Sequence, residues 1–254
     1  WRHNRGNSHH RCRSAGLGNL QTAQKGQGDY NQMVKGGGNG DYHSIVLTCN
    51  SIKSCYDMPK IAFMLAHKYR NPVIVTYDSD IAHLKENLIL PSKFKKIIHK
   101  DSKWSLGGTN NITKNKIQNV YYHNSLYDKQ LSDKYLQIEL NEQRYESFMI
   151  DDATTVFVAY GICSRVCKEV VVEARKKGKK VGLINPISLY PFPVIAFDNL
   201  KKLKKVVVCE LTVMEQMTYD VRLIIREKYG KNVDVVKIGK MSTIPSIEEL
   251  LEEI

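Results

Sequence analysis

Thr155-Val156-Phe157-Val158-Ala159-Tyr160-Gly161 is the stretch that decides the fold class of this 254-residue chain. A short, continuous apolar run rich in β-branched and aromatic residues reads as a strand buried on both faces, and the closing glycine as a turn. Behind it, Ser164 is placed to cap a helix running to Lys177, closed by Gly178 after a basic last turn. The same alternation continues downstream. Val181-Gly182-Leu183-Ile184 reads as a second strand, followed by a short helix around Ile195–Leu200. Val206-Val207-Val208-Cys209-Glu210 reads as a third strand and Met214–Tyr229 as a helix, with Gln216 and Met217 at its start. A fourth strand follows at Val233-Asp234-Val235-Val236-Lys237. Ser246 opens a last helix with Glu248 and Glu249 in its first turn. Strand and helix alternating at this spacing predict a parallel, doubly wound α/β sheet. Residues 151–254 are therefore expected to form a domain able to fold by itself.

Working upstream, residues 91–150 carry little periodicity, with Trp104 and Gly107-Gly108 marking a long connection. Only Ser132 to Glu146 (Leu136, Ile138, Leu140, Tyr145) suggests a helix there. Before it lies a β-α-β unit. Ser44-Ile45-Val46-Leu47-Thr48 and Val73-Ile74-Val75-Thr76-Tyr77 are strands, separated by an amphipathic stretch from about Ser51 to Tyr69. Pro59 is expected in that helix's first turn, with Asp57 as N-cap, because a missing N–H matters least there. Asn71-Pro72 ends the helix. Asp78 and Asp80 then sit at a strand's carboxyl end, where α/β sheets bind ligands and where aspartates also cap loops. The first 43 residues hold nine of the sixteen glycines, so that segment is loop.

Charge and cysteine content exclude some classes. The net charge is +12, but residues 146–254 carry 17 basic and 15 acidic side chains, leaving 21 and 11 upstream. Arg2, Arg5, Arg11 and Arg13 crowd the first fifteen positions. The runs Lys93-Phe94-Lys95-Lys96 and Lys201-Lys202-Leu203-Lys204-Lys205 read as solvated turns, and no DNA- or RNA-binding motif accompanies them. Nucleic acid is set aside on this basis. The six cysteines form no C-x-x-C pair, so neither a zinc ribbon nor an iron–sulfur run is present. Cys163 and Cys167, four apart, read as small core residues on one helix face. His43, His67, His83, His99 and His123 show no ligand spacing. No apolar run approaches the roughly 20 residues of a membrane-spanning helix, and none follows Trp1 as a leader. A cytoplasmic protein is expected.

Several segments, in order, resemble the alpha-type subunit of 2-oxoacid:ferredoxin oxidoreductases. They are Gly16-Leu17-Gly18-Asn19, Gln27-Gly28-Asp29-Tyr30, Lys35-Gly36-Gly37-Gly38-Asn39-Gly40-Asp41-Tyr42, Lys68-Tyr69-Arg70-Asn71-Pro72-Val73, Val158-Ala159-Tyr160-Gly161 and Pro186-Ile187-Ser188-Leu189-Tyr190-Pro191-Phe192-Pro193. Asn141-Glu142-Gln143-Arg144-Tyr145-Glu146 resembles the branch acting on 2-ketoisovalerate or 2-oxoglutarate. The similarity covers about Gly16 to Ile254.

The resemblance implies a thiamine diphosphate-dependent oxidative decarboxylation of a 2-oxoacid with coenzyme A, passing electrons to ferredoxin. It implies the C-terminal half of a pyrimidine-type domain followed by a transketolase C-terminal-like parallel-sheet domain. The division is residues 1–15 irregular, 16–92 partial pyrimidine-type domain, 93–150 connector and 151–254 transketolase C-terminal-like domain. It further implies a beta-type subunit gripping the diphosphate and magnesium, and ferredoxin-like and gamma-type subunits, with iron–sulfur clusters held outside this chain. Thiamine carries the difficult chemistry, so the protein's part is to orient and tune it. The family's aminopyrimidine-bonding glutamate and its Y-P-I-T-type loop belong upstream of this sequence, so no catalytic residue is assigned and the isolated chain is expected to be inactive. The arginine that precedes the glycine motif in the family aligns with Cys12, flanked by Arg11 and Arg13, and its role is not transferred.

The residues with a candidate binding role are Gly36, Gly37, Gly38, Asp29 and Asp41. Backbone without Cβ atoms can approach a cofactor or partner closely, or can simply form a turn. Asp29 and Asp41 can face the cofactor or close Asx-turns. Glu210, after the third strand of the C-terminal domain, is expected to hydrogen-bond between domains.

Upstream of Gly16 the resemblance stops, and Trp1 to Ala15 contains no aliphatic residue before Ala15. Shifted by one base, codons for this stretch can read G-G-I-T-G-A-I-P-I-I-D-V-E-A, a buried-strand pattern. A frame error just upstream of Gly16 is therefore expected. Two other functions stand beside the oxidoreductase subunit: an inactive truncated remnant acting at most as an interaction module, and a basic nucleic-acid binder.

Overall fold

The computed structural model describes residues 10–15, 26–36, 38–91 and 125–254, with backbone alone for 10–15 and 125–127. The Gly16–Asn19 motif, Gly37, the Lys93–Lys96 run and the Trp104–Gly108 stretch lie outside the described residues.

The upstream β-α-β unit forms as expected. β2 (Ile45–Thr48) and β3 (Val73–Asp78) pair in parallel, and β1 (His10–Ala15) adds in parallel on the far side of β3. Between β2 and β3 runs α2 (Ile52–Tyr69), preceded in the chain by the one-turn α1 (Tyr30–Val34). Met58, Ala62, Leu65 and Ala66 fall on one stripe of α2 and bury it against the sheet. The helix starts earlier than the sequence suggests. Its N-cap is Ser51, not Asp57, in a reciprocal capping box with Ser54. Pro59 thus lies inside the helix, offering no N–H to the Cys55 carbonyl four residues back. The capping box outcompetes Asp57 because two serine side chains satisfy N-terminal backbone groups at once. Arg70 in the left-handed region ends α2.

The second sheet has the order β4-β6-β5-β8-β9. β5 (Thr155–Ala159), β6 (Val181–Pro186), β8 (Lys205–Cys209) and β9 (Asp234–Ile238) are parallel, with β4 (Tyr145–Phe148) antiparallel at the edge. The central strands β5, β6 and β8 are covered on both faces and are mostly apolar, whereas the edge strands β4 and β9 are only partly buried. Along β5, Val156 and Val158 enter one core cluster while Phe157 and Ala159 enter the other. Along β8, Val206 and Val208 separate from Val207 and Cys209 in the same way. Cys163 and Cys167 line the second cluster, as small core residues should.

Several boundaries depart from expectation. α5 spans Gly161–Lys176 and begins three residues before Ser164, whose hydroxyl donates back to the Gly161 carbonyl at 2.8 Å. The chain turns into the helix directly from β5, because Gly161 accepts a φ of +60°. The turn at Val194–Phe197 is 3-10 rather than a helix reaching Leu200. α6 spans Met217–Tyr229 with Gln216 as N-cap, so the helix begins at the expected Gln216–Met217 rather than at Met214. α3 (Ser79–His83) follows β3, and α7 (Ile247–Glu252) is capped by Ser246 with Glu249 completing the box. α4 runs Ser125–Asn141, and Tyr145, expected within a helix, is strand.

The two sheets are not separate. β7 (Ser188–Tyr190) lies downstream of β6 yet pairs antiparallel with β2 of the first sheet. A single residue, Ile187, separates β6 from β7. One apolar cluster runs through both halves, joining Tyr30, Leu47 and Leu65 to Val158, Ile184 and Val208. Residues 151–254 thus share strand and core with what precedes them.

Candidate functional site

The carboxyl ends of the two sheets face each other. Asp78, the last residue of β3, is 2% exposed and reaches across the seam. One carboxylate oxygen accepts the Ile162 N–H of α5 at 2.7 Å, and the other accepts the Ile81 N–H of α3 at 2.9 Å. One side chain therefore caps two helices from different halves of the chain. Burial raises the Asp78 carboxyl above its ordinary range, against these two backbone donors. The capping reading of Asp78 is the one observed, and Asp80 follows it in the first turn of α3.

Gln27 joins the same seam. Its amide nitrogen donates to the Tyr160 carbonyl at 3.1 Å, and its amide oxygen accepts the Leu211 N–H at 3.0 Å. Its own N–H bonds the Leu211 carbonyl at 2.8 Å. Tyr30 donates its hydroxyl to Asp220 at 2.7 Å, Lys35 pairs with the same carboxylate, and the Gln216 amide nitrogen donates to the Gly28 carbonyl at 2.8 Å. Burial, then Asp220, pushes the Tyr30 phenol well above its usual pKa. Burial, then Glu210, does the same for Tyr160.

Glu210 corrects an expectation. Its carboxylate accepts the backbone N–H groups of Gln216, Met217 and Thr218 at 3.1, 2.9 and 3.3 Å, and the Thr218 hydroxyl at 2.6 Å. All belong to the start of α6, within its own domain. A fully buried carboxylate goes where N–H donors and the helix dipole concentrate, and α6 supplies both.

The other place of interest is the glycine loop. Gly36 takes a φ of +87°, and a Cβ on Gly38 would meet the Tyr42 hydroxyl at 2.9 Å. Asp41 is exposed beyond the loop, whereas Asp29 is buried at the start of α1 without a side-chain hydrogen bond capping that helix. The structure thus puts Gly36, Gly38 and Asp41 on one loop and Asp29 behind α1. Beside the loop opens a cavity of about 360 Å³, lined by Asp41, His43, Ser132, Tyr135, Leu136 and Glu139. His43 stacks on Tyr190 with ring centroids 4.4 Å apart and meets Tyr135 edge-on at 5.4 Å. The Tyr190 hydroxyl donates to Glu139 at 3.0 Å; burial, then Glu139, raises its pKa.

A third polar cluster secures the connector. Glu142, 3% exposed, accepts from Lys68 and the Tyr69 hydroxyl at 2.7 Å each and from Arg144 at 2.8 Å. Burial pushes its carboxyl up, but these donors outweigh burial and hold it below the usual range. Gln27, His43 and Glu142 carry no assigned role from sequence alone. Gln27 and Glu142 lie in quoted motifs, and a polar residue flanked by such motifs was the available signal.

Residues 13–146 match the family model described as pyruvate flavodoxin/ferredoxin oxidoreductase, thiamine diP-binding. The chain belongs to this oxidoreductase family. Residues 153–244 match core domain II of pyruvate:ferredoxin oxidoreductase. The ketoisovalerate oxidoreductase subunit VorB of Methanothermobacter thermautotrophicus is 37% identical over 244 residues, covering 94% of this chain and 66% of the relative. VorB of Methanothermobacter marburgensis is 43% identical over 182 residues, covering 70% and 50%. The 2-oxoglutarate synthase subunit KorA of Methanocaldococcus jannaschii is 33% identical over 246 residues, covering 86% and 65%. A solved 2-oxoglutarate:ferredoxin oxidoreductase from Magnetococcus marinus shares the fold, with a TM-score of 0.72 at 20% identity over 96% of this chain and 47% of that one. The chain thus spans between about half and two thirds of the length of these curated relatives. The α/β class expected from the sequence, a partial thiamine diphosphate-binding domain followed by a second parallel-sheet domain, is the one found.

The cavity beside the glycine loop does not fit the diphosphate end of thiamine diphosphate. It is walled by the carboxylates Asp41 and Glu139, which repel a diphosphate. Among the described residues no group of three or more His, Cys, Asp or Glu could hold a metal ion. Among them, too, no helix is long and apolar enough to cross a membrane.

Proposed function

We propose that this chain is part of an alpha-type subunit of a thiamine diphosphate-dependent 2-oxoacid:ferredoxin oxidoreductase. The reaction is oxidative decarboxylation of a 2-oxoacid, of the 2-ketoisovalerate or 2-oxoglutarate type, to its acyl-CoA with electrons passed to ferredoxin. The observation that carries this reading is the thiamine diP-binding family match over residues 13–146. The VorB likeness along 94% of the chain supports the substrate class.

A beta-type subunit holds the diphosphate and magnesium in this reading, and ferredoxin-like and gamma-type subunits carry the iron–sulfur clusters. The carboxylate-walled cavity supports that division, since an anionic wall is a poor grip for a diphosphate. Gly36, Gly37, Gly38, Asp29 and Asp41 are assigned to contact with the cofactor or the beta-type subunit; Gly38 and Asp41 are exposed and Asp29 is buried. The complex works in the cytoplasm. The family matches, ending at residue 146 and resuming at 153, support a domain division near residue 150.

The test is co-expression with beta-type and cluster-bearing subunits of a VorB-type complex. Ferredoxin reduction dependent on 2-oxoacid, coenzyme A and thiamine diphosphate is the expected outcome. Co-purification without thiamine dependence rejects the catalytic reading while leaving the assembly intact.

A further inference from the structure

The loop between α1 and β2 carries Gly38-Asn39-Gly40-Asp41, and Asn39-Gly40 is the one asparagine–glycine pair in the sequence. Asn39, Gly40 and Asp41 are all exposed, and none of them belongs to a helix or strand. Among the described residues, neither the Asn39 side-chain amide nor the Gly40 N–H makes a hydrogen bond. Gly40 takes a φ of +91°, and a Cβ built on it would meet nothing within 4 Å.

An asparagine side chain is one bond short of closing a five-membered ring with the nitrogen of the next residue. Closure is opposed by a side chain on that next residue, by a hydrogen bond that engages its N–H, and by a backbone held in regular structure. Asn39-Gly40 has none of these restraints. Asn50-Ser51 supplies the contrast within the same chain. There the Ser51 N–H donates to the Ser54 hydroxyl at 3.0 Å. The Asn50 amide oxygen accepts from that hydroxyl at 3.5 Å, and its nitrogen donates to the Ser164 hydroxyl at 3.5 Å. Both reacting groups of that pair are tied into the start of α2.

We propose that Asn39 is a self-modifying site, converted in the folded chain to aspartate and isoaspartate through a succinimide closed by Gly40. The Gly40 nitrogen gives up its proton and attacks the Asn39 side-chain carbonyl carbon. The new C–N bond closes the ring, and the side-chain nitrogen leaves as ammonia, carrying that proton. Water then opens the ring at one carbonyl or the other. One opening gives aspartate; the other gives isoaspartate, with the backbone running through the former side chain. The net reaction consumes one water and releases one ammonium ion, with no oxidant or reductant.

Each converted chain gains a carboxylate two residues from Asp41, which with Glu139 already walls the cavity beside the loop. Isoaspartate also lengthens the loop backbone by one carbon. The chemistry needs only the loop and water, so it is independent of the function proposed above. Only its consequence, a new charge on the surface assigned to the cofactor or the beta-type subunit, rests on that reading.

The experiment is incubation of the full chain in mildly alkaline buffer over several days, then trypsin digestion and mass spectrometry against an unincubated control. Trypsin cuts after Lys35 and Lys53, so Asn39 and Asn50 share peptide 36–53 and fragment ions tell them apart. The expected result is two new forms of this peptide, eluting apart, each with an amide NH2 replaced by OH at Asn39. Asn50 should stay intact. Gly40→Ala should slow the conversion severalfold and Asn39→Gln should abolish both forms, with circular dichroism checking that each variant folds. In guanidinium chloride Asn50 should begin to convert, because its partners are lost, while Asn39 continues. A folded chain that keeps Asn39 intact although the denatured chain converts it overturns the proposal. So does a folded chain in which Asn50 converts first.

Discussion

Replacing Gly161 with alanine strikes the seam at its tightest point. The residue sits at φ +60°, a region that costs an L-residue about 1–2 kcal/mol. A Cβ built there lies 2.1 Å from the Asp78 carboxylate oxygen, far inside contact distance. The neighbour that must yield is the group accepting the Ile162 N–H at 2.7 Å, a charge-assisted bond of about 1.5–3 kcal/mol. Gly161→Ala should therefore destabilise the chain by roughly 3–5 kcal/mol. The discriminating measurement is a double-mutant cycle with Asp78→Ala, followed by urea unfolding and circular dichroism. Asp78→Ala alone strands the Ile81 and Ile162 N–H groups. In that background no carboxylate remains to clash, so the glycine substitution should cost its backbone strain and a 3.2 Å approach to the Gln27 amide that a small side-chain shift relieves. The two changes should then be less than additive by about 2 kcal/mol or more. Additivity within about 0.5 kcal/mol would refute the idea that Gly161 is glycine because of Asp78.

Three further outcomes follow from the same contacts. Glu142 has a folded pKa below its unfolded value of about 4.3, so its stabilisation is present above that pH and lost as pH falls through the folded pKa. Glu142→Gln should cost about 1–3 kcal/mol near neutrality, discounted because Lys68 is half-exposed, and flatten the acid limb of urea midpoints as pH falls below the ordinary glutamate range. An unchanged acid limb would show that Glu142 is not the titrating group. Glu210→Ala leaves three buried or half-buried N–H groups at the start of α6 without their acceptor and should cost at least about 3 kcal/mol. Hydrogen exchange should accelerate first at Met217 and Thr218, and equal acceleration throughout the chain would contradict a local capping role. Asp220→Asn weakens the Tyr30 and Lys35 contacts and should cost no more than about 1.5 kcal/mol, since Lys35 is half-exposed. Faster exchange at Met33 and Lys35 is the expected sign, and protection unchanged from the parent chain would mean that α1 is held by its apolar residues alone.

The elements legible in the sequence were those whose signal is local. β5, β6 and β8 each hold a continuous apolar run because both faces are covered, and Ser246 with Glu249 carries a complete capping box. The start of α2 was misplaced because Pro59 looks like a helix beginning, while the cap depends on a serine pair whose reciprocal bonds no composition rule displays. β4 and β7 escaped because each is short and half of its pairing information lies in a strand far along the chain. The seam was legible only in fragments. Asp78 and Glu210 both follow strands, yet one caps a helix across the interface and the other a helix of its own domain. That difference depends on which helix N-terminus lies nearest in space. Gln27 illustrates the same limit, since its partners Tyr160 and Leu211 are more than 130 residues away.

The lone residue between β6 and β7 bears on how such a chain could be divided by recombination. A gene cut near residue 150 keeps β2 on one product and sends β7 to the other, while β4 leaves β6 behind. Each product would carry an open strand edge inviting pairing with foreign chains. Such a breakpoint is expected to yield insoluble pieces unless both are made together. Inheritance should therefore favour moving the two halves as a single cassette, even though each has a sheet of its own.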